Sequence, residues 1–310
     1  MIQTRTALLP HGVSLQCRES GMPGRPVLVF LHGFPEGAFI WDELLLHFAR
    51  PENGGYHCIA PYLRGFGESS SPQATEAYRA KHLVQDIVAL IGLESGLAPL
   101  AALVAHDWGG AVAWSLANQH PERLRQLVIV NSPHPGPFLK ALQSHPEQQA
   151  ASAYMNFLVQ PDAAAQLAAN DFERLLGFLD GHDSELPSLT QPPGSDAPEP
   201  ARWLTPEVKE RYRQIWRHGL QGGLNYYRAS PLRPATAQDP GASAVQIPPE
   251  ALHIGMPTLV LWAQDDVALL PCLTEGLTQH VPDLKLVPIA KASHWVVHEK
   301  PGRVIREITA

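Results

Sequence analysis

Basic runs, paired cysteines and long apolar stretches are all missing from this chain of 310 residues. The net charge is −7 and Lys and Arg are dispersed. No field is therefore offered to an anionic polymer or surface, and neither a nucleic-acid nor a membrane partner is expected. The cysteines Cys17, Cys58 and Cys272 are odd in number, scattered and without metal-ligand spacing. They read as reduced thiols, with a cytoplasmic location as the expectation. MIQTRTALLPHGVSLQ has no signal-type apolar stretch, and no run approaches membrane-spanning length. The G-x-S-x-G signature of a serine nucleophile is absent as well.

What is present is an alternation. RPVLVFLHG, HCIAPYLRGFGES, LAALVAH, LRQLVIVNSP, PTLVLWAQDD and LKLVPIAKASHW each carry a short apolar run rich in β-branched or aromatic residues. Helical patterns lie between most of them, for example at Lys81–Gly92 and Gly110–His120. Strands alternating with helices predict a mostly parallel sheet covered on both faces, and residues 3–19 predict an antiparallel edge. The alternation stops between Gly136 and Ile254. Helix-like segments fill that stretch at Ala150–Leu158, Ala163–Leu179 and Pro206–Arg217, with no clear strand. Prolines cluster at Leu186–Pro206 and Pro231–Pro257, which read as long loops. The predicted organisation is an α/β core in residues 1–135 and 251–310, with a helical cap inserted at 136–250.

In such sheets, ligands bind beyond the carboxyl ends of the strands. Asp107, the HGFP turn, Asp265–Asp266 and His294 all follow predicted strands, so they should meet at one edge. Asp107 carries two readings. As a helix N-cap, its carboxylate would accept a backbone N–H of the first turn. As a nucleophile elbow, it would project from a strained strand-to-helix turn between the small residues Ala105 and Gly109. A carboxylate nucleophile needs donors for developing charge, a base, and an acid that orients the base. The backbone N–H groups of Phe34 and Trp108 are the candidate oxyanion hole, His294 the base and Asp266 the acid, with Asp265 its rival. His32 and His106 are expected beside the site, and His134 is a weaker candidate for pocket lining. Phe157, Tyr226, Trp203, Tyr212 and Trp216 would give the cap an aromatic lining, although the stripe Val208, Tyr212, Ile215 and Trp216 also suits ordinary packing.

HGFPE, RGFGES, HDWGG, LWAQDD and SHW together resemble the α/β-hydrolase superfamily. The HGFP and HDWGG pair is similar to its epoxide hydrolase family, whose nucleophile is Asp. AYMNFLVQP and GGLNYYRAS resemble the cap segments that each carry a catalytic tyrosine, which here would be Tyr154 and Tyr227. The resemblance implies the α/β-hydrolase fold with an inserted helical cap, a small hydrophobic epoxide as substrate, a monomer or homodimer, and no metal or organic cofactor. Tyr62 and Ala263 depart from the family's usual Asp and Gly. An Asp nucleophile forms an ester that water can cleave, where Ser would form an inert ether, so displacement at an sp³ carbon is favoured over ester hydrolysis. Haloalkane or haloacetate dehalogenation is the alternative. Phe34 and Trp108 lack the Asn and Arg that those enzymes favour at these positions. A non-catalytic binding scaffold is the remaining class.

Overall fold

The computed structural model describes residues 1–180 and 201–309. Eight strands form one sheet: β1 (Gln3–Leu8), β2 (Ser14–Ser20), β3 (Val27–Leu31), β4 (His57–Pro61), β5 (Ala102–His106), β6 (Leu127–Val130), β7 (Thr258–Ala263) and β8 (Leu284–Ile289). Their spatial order is β1-β2-β4-β3-β5-β6-β7-β8. β1 and β2 pair antiparallel, β2 joins β4 antiparallel, and every later pairing is parallel. Strands β3, β5 and β6 are buried along their whole length, as expected of central parallel strands covered on both faces. Burying each large apolar side chain there stabilises the fold by about 1.5–3 kcal/mol.

The helices of the first half are α1 (Asp42–Phe48), α2 (Ala80–Ser95) and α3 (Asp107–Gln119). Helix α3 turns Val112, Ala113, Leu116 and Ala117 to the core and stops before Pro121, which restricts the residue ahead of it. Between β6 and β7 the chain builds α4 (Pro135–Ser144), α5 (Pro146–Ala151), α6 (Tyr154–Leu158), α7 (Ala163–Asp180), α8 (Pro206–Trp216) and α9 (Gln221–Ala229). The chain closes with α10 (Val296–Glu299) and α11 (Pro301–Thr309).

Two helix expectations differ from the structure. Ala150–Leu158 is two helices, broken at Ser152, whose buried hydroxyl accepts from the Gln148 amide at 2.9 Å. Helix α7 is interrupted by left-handed backbone at Asn170, Asp171 and Phe172. The proline-rich loop expected at 186–206 lies, up to residue 200, outside the described residues.

The inserted helices are bonded to the loops beyond the sheet. Trp216 Nε1 donates to the Pro35 carbonyl at 2.7 Å, and Tyr226 Oη to the Arg64 carbonyl at 3.0 Å. Arg64 is itself fixed by a buried two-pronged pair with Asp86, at 2.8 and 2.6 Å, and His11 adds a third contact to that carboxylate at 2.7 Å. Planar guanidinium and carboxylate match in this geometry. Replacing Arg64 with Met leaves Asp86 buried beside His11 alone. We expect Arg64→Met to lose about 3–5 kcal/mol of stability, read as a lower urea midpoint. An unchanged midpoint would contradict the assignment of this pair as the clamp of the RGFGES loop.

Candidate active site

Strand β5 ends at His106, and the chain enters α3 through Asp107 at φ 49°. This is left-handed backbone, uncommon for any residue but Gly. The N-cap reading fails here. A cap would accept from Gly109 or Gly110, but the Asp107 carboxylate reaches across to the turn after β3, where the Phe34 N–H donates to Oδ1 at 2.8 Å. The Trp108 N–H also faces the carboxylate. Two close approaches explain the local glycines. A Cβ on Gly33 would lie 2.1 Å from Asp107 Oδ1, and one on Gly109 would lie 2.6 Å from the Leu31 and His32 carbonyl oxygens.

Beyond β7 and β8 stand the other two groups. His294 Nδ1 is 2.7 Å from Asp266 Oδ2, and its Nε2 is 3.8 Å from Asp107 Oδ2. Asp266, not its exposed neighbour Asp265, faces the histidine. The Asp266 carboxylate is held by three donors besides the imidazole. Asn131 Nδ2 donates to Oδ2 at 2.8 Å, while the Ala268 and Leu269 N–H groups donate to Oδ1, both at 2.9 Å; Asn131 is fixed in turn by the Ala263 N–H at 2.9 Å.

The electrostatics follow from this burial. Desolvation pushes the Asp107 carboxyl up, and the positive charges of His294 and His106 with the two N–H donors oppose it. Burial alone would lower His294, but Asp266, then Asp107 and Glu36, outweigh it and push the imidazole up to about 9. Tyr154 opens α6 and Tyr227 lies on α9. Their rings meet edge-on at 6.3 Å. Burial first, then Asp107 for Tyr154 and Tyr154 followed by Asp107 for Tyr227, raise both phenols well above their ordinary value, so both keep their protons.

A cavity of about 380 Å³ opens over Asp107 and is lined by Trp108, Tyr154, Met155, Tyr226 and Leu269 among others. Tyr227 sits just behind this wall, edge-on to Trp108 at 5.0 Å and to Phe34 at 5.5 Å. His32 and His106 stand beside the site and outside the cavity wall, and of the aromatic residues expected as lining, Phe157, Trp203, Tyr212 and Trp216 are outside that wall as well. His32 places Nδ1 2.8 Å from the Gly33 carbonyl and accepts the Leu63 N–H at Nε2, 3.1 Å away, with burial pulling it down to about 4. It pins the turn after β3. His106 lies beneath the site, Nδ1 2.8 Å from Glu36 and Nε2 3.0 Å from the His294 carbonyl. Phe157 is turned away and carries the Arg174 guanidinium 4.8 Å over its ring. His134 is also outside the cavity, 2.9 Å from the Leu252 carbonyl and stacked on His280 at 4.8 Å.

Glu36, Tyr212, His298 and Asn131 were not singled out as polar partners in the sequence. Fully buried Glu36 bonds His106, Tyr212 Oη at 3.2 Å and His298 Nε2 at 3.1 Å. Burial would raise its carboxyl, but His106 and His298 win and hold it well below the usual range. The signal available was the carboxylate of HGFPE, directly after a buried strand and a turn.

Sheet order, elbow and acid–histidine pair together define an α/β hydrolase, and a family profile described as alpha/beta hydrolase fold matches residues 26–301. An AB hydrolase superfamily protein of Bacillus subtilis, YfhM, is 32% identical over 95% of this chain and 92% of its own length. Epoxide hydrolase A of Mycobacterium tuberculosis is 31% identical over 95% of this chain and 92% of its own. The crystal structure of a Bacillus megaterium epoxide hydrolase with an inhibitor superposes with a TM-score of 0.83, at 26% identity and 98% coverage of both chains. The chain belongs to the epoxide hydrolase family of α/β hydrolases, and it is a hydrolase.

Asp107 is one of the charges that raise His294. Asp107→Asn is therefore expected to lower the imidazole's pKa in an NMR titration, relative to the unaltered protein. A value that stays put or rises would mean that the two groups are not electrostatically coupled.

Proposed function

We propose that this hydrolase opens epoxides to vicinal diols through an ester on Asp107. The observation that carries the reading is the pair of tyrosines beside Asp107: Tyr154 lines the same cavity as Asp107, and Tyr227 packs edge-on to Tyr154 at 6.3 Å and to Trp108 at 5.0 Å. A breaking C–O bond generates an alkoxide, which needs a proton. A departing halide does not. Hydroxyl donors at this place therefore favour epoxide over halide chemistry.

In the first half-reaction, an Asp107 oxygen attacks one ring carbon. The ring C–O bond breaks, and its electron pair takes a proton from Tyr154 or Tyr227. The product is a hydroxyalkyl ester and a tyrosinate. Esterification removes the Asp107 charge, and with it part of what holds His294 protonated. The histidine can then give up its proton, which by way of solvent restores the tyrosine, and serve as base near neutral pH. Oriented by Asp266, it deprotonates a water that attacks the ester carbonyl. The Phe34 and Trp108 N–H groups, already aimed at this carboxyl, stabilise the oxyanion. Collapse releases the diol. Of the two protons from water, one goes to the leaving diol oxygen and the other stays on His294, which is recharged as Asp107 re-ionises. The helical insertion carrying both tyrosines serves as the cap, and the triad, oxyanion donors and acids all come from this chain's own residues.

The test is a pair of variants assayed on an aryl epoxide. His294→Gln should block the second half-reaction, so intact mass rises by one substrate molecule and diol production stops after one turnover. Tyr154→Phe with Tyr227→Phe should slow ester formation by about 10² or more. Full turnover by His294→Gln, or an undiminished rate in the double tyrosine variant, would reject the assignment.

A further inference from the structure

The cavity does not end at Asp107. From Trp108 it continues along the outer face of α3, past Ala111 and Ser115, to Asn118 and Gln119 at the helix's far end. Residues three, four and seven apart share a helix face, and at 1.5 Å per residue this run is about 16 Å long. The chain that returns from α9 to β7 roofs it with Pro231, Leu232, Val245 and Ile247.

That roof is fastened to the core. Asn118 Nδ2 donates to the Glu250 and His253 carbonyls at 2.9 and 3.0 Å. Gln143 Nε2 donates to those of Ala242 and Val245 at 3.0 and 3.1 Å. The walls keep their polar groups to themselves. Ser115 Oγ is turned back to the Ala111 carbonyl at 3.1 Å, and the Ser230 hydroxyl accepts the Leu232 N–H at 3.2 Å. An arm whose polar groups are spent internally suits an apolar occupant. It opens at exposed Gln119.

Away from the cavity, the space beside the site is filled by rings. Tyr154 meets Phe178 at 5.9 Å, Phe178 meets Trp295 at 6.1 Å, and Trp295 meets His294 at 4.9 Å. Phe178 and Trp295 are 2% and 0% exposed, and neither lines the cavity. A large group on the second epoxide carbon would have to displace this stack.

Building on the epoxide reading, we propose that the protein selects terminal epoxides with one long apolar substituent. The ring sits at Asp107, and the tail lies along α3 beneath the 231–251 roof.

Three substrates test this: a straight-chain terminal epoxide, its mid-chain positional isomer, and compact styrene oxide. The terminal isomer should exceed the mid-chain isomer in kcat/KM by about tenfold or more. Ser115→Trp, which fills the arm, should lower kcat/KM for the long terminal epoxide about tenfold relative to styrene oxide. Equal kcat/KM for the two isomers, with styrene oxide hydrolysed, overturns the arm and leaves the epoxide reading standing. Failure to hydrolyse any of the three overturns the epoxide reading itself. The isomer comparison uses the unaltered protein and decides even if Ser115→Trp does not fold.

Discussion

The site depends on the contact between two turns at neighbouring strand ends. β3 and β5 run parallel with Leu31 opposite Ala105, so the turns that follow them emerge side by side. They come so close that no side chain fits at Gly33, and its neighbour Phe34 aims an N–H at Asp107. Asp107 accepts a left-handed backbone in this position. Such a conformation costs about 1–3 kcal/mol and persists only where its surroundings over-determine it. Here they do. Ser132 Oγ donates to the Asp107 carbonyl at 2.7 Å, and α3 is packed against the sheet behind it. The proposed oxyanion donors are thus fixed before any substrate arrives, and preorganisation of this kind avoids reorganisation during reaction.

A second layer of polar groups supports the first. Glu36 is buried, yet it remains ionised because His106, His298 and the Tyr212 hydroxyl surround it. A buried charge without partners would cost several kcal/mol. The network touches the backbone of His294 through His106 and reaches α8 through Tyr212. Trp203 stacks on His298 at 4.2 Å, closing it from outside. The inserted helices and the proposed base are therefore connected through one carboxylate, so the position of α8 and the seating of His294 are not independent.

Much of this was legible in the residues, and what was not has a physical cause. Central strands are continuous apolar runs, so β3, β5, β6 and β7 stand out by composition. The elbow stands out by its small flanking residues. Asp266 was favoured over Asp265 by its place in LWAQDD, but adjacent residues on a turn point in opposite directions, and only the fold decides which meets His294. Tyr154 and Tyr227 came from resemblance alone. Their pairing depends on how α6 and α9 pack, which periodicity does not reveal. Glu36 and His298 are 262 positions apart, and Asn131 and Asp266 are 135 apart. No local pattern joins such partners. Helix α9 was hidden by the two glycines of GGLNYYRAS. Gly222 lies there because a Cβ would come within 2.3 Å of Gly65 Cα, so tertiary contact overrode local preference.

The central claim is that Asp107 makes a covalent bond to the substrate. Single-turnover hydrolysis of an aryl epoxide by excess enzyme in ¹⁸O-water, followed by mass analysis of the Asp107 peptide, tests it most directly. Attack of water on the ester carbonyl should put the label into Asp107 and leave the first-turnover diol unlabelled. Labelled diol with an unlabelled Asp107 peptide would mean that water opens the ring directly, and the account of the site would fail.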